Sequence, residues 1–231
     1  MPDWLGILAL AASAMQALLM GFVGYPISLS QRNGMEKFHR SGFTWWLITL
    51  MLLVGLAIVL APGTLSLSSP NSEVSGIAVV VFASIVGAAG CTVFELTVSV
   101  WRTRRRADGT DRGAERYNDA LPLWGRLPLA ELLLLSATAV LEEAVYRGIG
   151  MSWLTADQGV PWIFAVVLTA AVFGLAHWYY GPRQVVLKFV LGLILGLVAW
   201  YGSWVAAALA HLLLNISLLT LSRRNSTVIV E

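Results

Sequence analysis

The chain has 231 residues, 58% of them hydrophobic and only 12% charged, with a formal net charge of +2. Soluble domains carry about 25% charged residues, so half that share over long apolar runs excludes an ordinary water-soluble fold. It points to an integral membrane protein, whose length counts spans rather than soluble domains.

Seven runs approach the roughly 20 helical residues that cross about 30 Å of hydrocarbon. They lie near 4–24, 44–61, 74–100, 129–151, 161–180, 185–201 and 203–222. The predicted fold is therefore all-α: a polytopic membrane bundle of about seven transmembrane helices, forming one integral membrane domain over 1–231. The first run lacks a basic n-region and a small-residue cleavage site, and reads as a retained span and not a signal peptide. The third is long enough to tilt or to project past the membrane. Between spans, 66–72 reads as a polar loop and 101–127 as a basic loop, the one segment resembling a linker. The connection Gly202-Ser203-Trp204 is the least marked of the boundaries. There is no internal repeat. The single cysteine, Cys91, excludes an intramolecular disulfide, and no CxxC or clustered Cys/His pattern suggests a zinc or iron–sulfur site.

Basic residues fall on one side of this pattern. The first, third and fifth loops and the C-terminal tail hold three, seven, one and two of them, which is thirteen of the fifteen lysines and arginines. The N-terminus and the second, fourth and sixth loops hold none. Because positive charge stays in the cytoplasm, the N-terminus is expected outside and the C-terminus inside, in the plasma membrane. The cluster Arg102, Arg104, Arg105 and Arg106 reads as part of that topology signal. Asp108, Asp111 and Glu115 follow it closely, which argues against a nucleic-acid patch.

Away from the loops, few ionisable residues remain: Glu95, Glu131, Glu142, Glu143, Arg147, His177, Lys188 and His211. A charge at a helix centre costs about 2.5–3.5 kcal/mol on insertion scales, so each is a functional candidate by default. Glu131 and Lys188 lie near predicted span ends and read as interface anchors. Glu95 reads as a structural carboxyl. Glu143 and Arg147 are four residues apart, with the acid first, so they share a helix face and can neutralise one another. Glu142 is rotated about 100° away and needs a partner on another helix, or a proton. Two spans offer partners: Val172–Trp178 carries His177 one turn after Phe173, and Ala208–Ile216 carries His211 one turn before Asn215. Gly192 and Gly196 form a small-xxx-small face that lets helices approach closely.

These residues resemble the three motifs of the CPBP intramembrane proteases. That family comprises the CAAX-processing and bacteriocin-processing enzymes, also called the Abi family, and includes the type II CAAX prenyl endopeptidases. The motifs are Glu142-Glu143-x-x-x-Arg147, Phe173-x-x-x-His177 and His211-x-x-x-Asn215, in a core over about 128–220. The resemblance implies hydrolysis of a peptide bond in a membrane-associated or prenylated peptide or protein. It makes Glu142, acting with His177, the activator of a water. It makes His211 and Asn215 the pair that stabilises the tetrahedral oxyanion, and Glu143 and Arg147 their support. A buried carboxylate is a competent general base, and an amide and an imidazole N–H are suitable oxyanion donors. No cofactor is favoured. Zinc on Glu142, His177 and His211 is the alternative, without an HExxH pair on one helix.

Two other readings use the same cavity. A non-catalytic binding or immunity protein would bind peptide without cleaving it. A proton relay or transporter would show interrupted helices in matching halves, and none is visible. With straight helices, Glu142 and His177 would differ in depth by something like 5–15 Å, so a shared site requires tilt, a kink or a shifted span boundary.

Overall fold

The computed structural model describes residues 3–19, 34–61, 65, 77–107, 129–178 and 182–227. Among them there is no strand, and seven α-helices form: α1 Asp3–Leu19, α2 Gly34–Leu60, α3 Ile77–Ala107, α4 Leu129–Glu143, α5 Trp162–Leu175, α6 Pro182–Gly202 and α7 Trp204–Thr227. Each coincides with one of the seven apolar runs. Two stretches, Ile77–Val98 and Gln184–Gly202, are long and apolar enough to cross a membrane. Four more are apolar but shorter: Asp3–Ala12, Leu47–Leu60, Trp162–Leu175 and Trp204–Thr220. The polar loop 66–72 and residues 108–128 of the basic loop lie outside the described residues.

The fourth run departs from a plain α-helix. After Glu143 the chain continues as π-helical turns over Ala144–Met151 and again over Trp153–Asp157. The wider i→i+5 ladder runs to the end, where Gln158 N donates to Trp153 O at 3.0 Å. Turns of this kind are rare and concentrate at functional sites. The local sequence favours the departure. Gly148 and Gly150 are weak helix formers, and both are pressed against neighbours. A Cβ on Gly148 would meet Leu65, and one on Gly150 would meet Leu10 of α1. Asp3 clasps these turns from outside, accepting from Gln158 Nε2 at 2.7 Å and Trp153 Nε1 at 3.4 Å.

Lipid offers helices no hydrophobic reason to associate, so close contact through small residues must do that work. Gly192 and Gly196 do face a neighbour: a Cβ would lie 3.0 Å from Ala170 Cα and 2.8 Å from Val166 Cγ1, respectively. Across the same seam, a Cβ on Gly174 would sit 2.8 Å from Val185 O, a backbone atom that cannot yield. These contacts make α5 and α6 antiparallel and intimate. At the end of the bundle that holds Asp3, Trp162 stacks on Trp200 at 5.2 Å.

The α6–α7 junction is abrupt. A single residue, Ser203, separates the helices, with φ of 112° and its side chain fully buried. Among the described residues its Oγ has no hydrogen-bond partner. A non-glycine residue in this region is strained by about 1–3 kcal/mol, and an unpaired buried hydroxyl adds to that cost. Replacing Ser203 by Gly removes both penalties. S203G should raise the midpoint of thermal unfolding in detergent, whereas Ser203→Val should lower it. A fall in the midpoint for S203G would show that Ser203 is held there by a contact of real value.

Candidate active site

The site forms where α4, its π-helical continuation, α5, α6 and α7 converge on the Phe173 ring. Its centre is Glu143, the last residue of α4, which is fully buried. Oε2 lies 3.0 Å from Arg147 Nη1, and Oε1 lies 3.0 Å from His211 Nδ1. Arg147 is buried in turn, and its Nη2 donates to Gly192 O of α6 at 2.9 Å. One acid thus joins a cation on its own helix to an imidazole on α7, and the cation ties both to α6. The Glu143–Arg147 contact is an ion pair and not a directed hydrogen bond. Among the described residues Oε2, Nη1 and Arg147 Nε complete no hydrogen bond. Charges this deep persist only when matched.

Aromatic rings fill the space between. The Phe173 ring meets Tyr146 at 5.3 Å, His177 at 5.0 Å and His211 at 6.2 Å, each time edge to face. The Arg147 guanidinium carbon lies 5.0 Å from the same ring, a cation–π contact that is strongest where water is excluded. Phe173 therefore spaces the two histidines and presses on the cation.

The hydrogen bonds fix which ring nitrogen carries the proton. His177 Nδ1 lies 2.8 Å from Phe173 O. A carbonyl only accepts, so Nδ1 holds the hydrogen, and Nε2 of the neutral ring is an acceptor. His211 Nδ1 faces the Glu143 carboxylate in the same manner. With Nδ1–H turned to that carboxylate, Nε2 can donate only from a doubly protonated ring.

Glu142 is buried beside Glu143 at the end of α4, and Asn215 is half-buried one turn beyond His211 on α7. The six residues named from the sequence therefore lie on α4, its π-helical continuation, the turn after α5, and α7. Glu143, Arg147 and His211 are in direct contact, and His177 joins them through Phe173. Among the described residues no three His, Cys, Asp or Glu side chains are grouped closely enough to hold a metal ion.

α5 is shorter than expected. The predicted span ran to 180, but the helix ends at Leu175. Gly192 faces Ala170 and Phe173, and Gly174 faces Val185 and Phe189. His177 therefore lies within about a turn of the start of α6, and its ring reaches back against Phe173. Two participants were missed in the sequence. Gly192 was read only for its small size, yet its carbonyl accepts from Arg147. The clue was arithmetic: a guanidinium has five donors, and one carboxylate cannot satisfy them. Phe173 was read as a motif position and not as the spacer of the histidines.

All six residues fall within one recognised segment. Residues 124–217 match the family model of the type II CAAX prenyl endopeptidase Rce1-like proteins. The resemblance read from the three motifs is thus borne out over that segment. No curated protein and no solved structure matches the chain. The matched segment covers less than half of the chain.

The Rce1-like segment should be sensitive to loss of either buried charge. Arg147→Met leaves Glu143 without its cation, which typically costs 3–5 kcal/mol in round terms, about what breaking a buried pair costs elsewhere. Removing both charges in E143Q/R147M should recover much of that loss. Thermal unfolding of the three proteins in one detergent measures this, and equal losses for the single and double variants would refute the pairing.

Proposed function

We propose that the protein is an intramembrane endopeptidase that cleaves a prenylated, membrane-associated peptide or protein near its C-terminus. The observation that carries this reading is Glu143 bound at once to Arg147 and His211 inside the Rce1-like segment. A buried acid, cation and imidazole on three packed elements are costly as mere glue. They make sense as the rigid backing of a reaction centre.

On this reading Glu142 is the general base. It takes a proton from a water, and the resulting hydroxide attacks the scissile carbonyl carbon. The water's second O–H stays intact and donates a hydrogen bond to His177 Nε2, an acceptor in the neutral ring, which aims the oxygen lone pair at the carbonyl. As the carbonyl oxygen becomes an oxyanion, His211 Nε2–H and the Asn215 amide donate to it. Glu143, bonded to Nδ1, holds the His211 ring so that Nε2 faces the oxyanion. Glu142 then returns its proton to the leaving nitrogen, and the C–N bond breaks. Arg147 keeps Glu143 in place by holding it against α6. No step is routed through a metal.

The proposed orientation places the N-terminus outside and the C-terminus in the cytoplasm, with all seven helices embedded in the plasma membrane. The thirteen basic residues on one side support it. The reaction centre then lies within the bilayer but nearer the face where cytoplasmic lipidated proteins are presented.

The test is cleavage of a farnesylated peptide by purified protein. Glu142→Gln should lower kcat by about 10²–10⁴, the range for loss of a general base. Asn215→Ala should lower it by about 10²–10³, with KM less affected in both. Undiminished turnover by E142Q would overturn the assignment. Binding of the peptide with no cleavage by the unmutated protein would favour a binding or immunity role.

A further inference from the structure

One charged residue inside the bundle is left over by this mechanism. Lys188 is half-buried on α6, six residues in from Pro182, or about 9 Å along the axis. It stands four residues before Gly192, so it shares that residue's face, and Gly192 faces Ala170 and Phe173. α5 and α6 run antiparallel: Gly192 meets Ala170, and Val185 and Phe189 meet Gly174, so Lys188 stands level with Gly174, about one turn from His177. The ammonium is close enough to act electrostatically on His177 and on Cys91 of α3.

Glu95 stands one turn beyond Cys91 on α3, is also half-buried, and acts on Cys91 as Lys188 does. Among the described residues neither Lys188 nor Glu95 makes an ion pair or hydrogen bond. An interface anchor would face lipid at a helix end. Lys188 instead lies on the seam side of α6, beside a proposed catalytic histidine. Of the two charged groups on this rim, only Lys188 can receive an anion.

We propose that Lys188 is a specificity residue that binds the free C-terminal carboxylate of the substrate. The inference rests on the endopeptidase reading above and names the group that such a substrate would present. A CAAX tail ends three residues after its modified cysteine. Three extended residues span at most about 10–11 Å. One helical turn of about 5.4 Å plus the reach of a lysine side chain covers a comparable distance from the His177 level. A carboxylate held there fixes the register of the tail, so the bond after the cysteine meets Glu142 and His177. Lysine suits the task because it is a compact point charge on a flexible stem.

The experiment compares two farnesylated peptides that differ only at the last group, one ending in a carboxylate and one in a carboxamide. The unmutated protein should favour the acid by about 10- to 100-fold in kcat/KM, the range for a charge-assisted hydrogen bond. The difference should lie mainly in KM. In Lys188→Gln the acid-to-amide ratio should fall to near one, and Lys188→Arg should restore most of it. If K188Q does not fold, product inhibition of the unmutated protein gives the same answer. A tripeptide acid should then inhibit about tenfold or more better than its amide. No acid preference in the unmutated protein, or a preference kept by K188Q, overturns the role of Lys188 and leaves the endopeptidase reading intact. Failure to cleave either peptide defeats that reading itself, and this inference with it.

Discussion

The contact on which this molecule depends is the one between Glu143, Arg147 and His211. An apolar bundle has no water to share out charge, so an acid at its centre must be matched by protein groups. Here the match is made by three separate elements: the π-helical turns supply the guanidinium, α7 the imidazole, and α6 the carbonyl of Gly192. Each helix is held in place by a polar bond whose loss would strand a charge. The bond that ties α7 to Glu143 also sets which nitrogen of His211 faces the acid, so architecture and reactivity share a cause there.

Small residues make the contact reachable. A guanidinium can bond to a carbonyl inside a neighbouring helix only if the two backbones lie close. Gly192 has no side chain in the way, and its neighbour Ala170 is nearly as small. The carbonyl keeps a lone pair beyond its own helical bond, and Arg147 takes it. Gly174 lets α5 press on α6 one turn further along, just before α5 ends. The packing that draws the helices together thus also sets where α5 presents Phe173 and His177.

Much of this was legible in the residues. Each of the seven apolar runs holds a helix among the described residues, the structure that satisfies backbone polar groups within one apolar stretch. The Glu143–Arg147 pair followed from helical spacing alone, and so did the pairing of Phe173 with His177. What could not be read was long-range or non-α. The π-helical turns depend on how Gly148 and Gly150 meet Leu65 and Leu10, contacts far away along the chain. The early end of α5 at Leu175 could not be read either, because Ala176 and His177 carry no break signal. The partnership of Glu143 with His211, 68 positions away, had no local trace. Sequence spacing had suggested that Glu143 was satisfied within its own helix.

Two adjacent glutamates face different surroundings because a helix turns about 100° between them. Both oxygens of Glu143 are engaged, one by Arg147 and one by His211. A proton placed on either oxygen would displace one of those partners and loosen two helices. On the proposed mechanism, the proton traffic must therefore pass through a different carboxyl. Glu142 lies one residue earlier, outside that clamp, on the helix that the clamp holds rigid. A base needs a fixed position as much as it needs basicity. Separating the two demands, with one acid as fastener and its neighbour as reagent, explains why a bundle so poor in charge would carry two in succession.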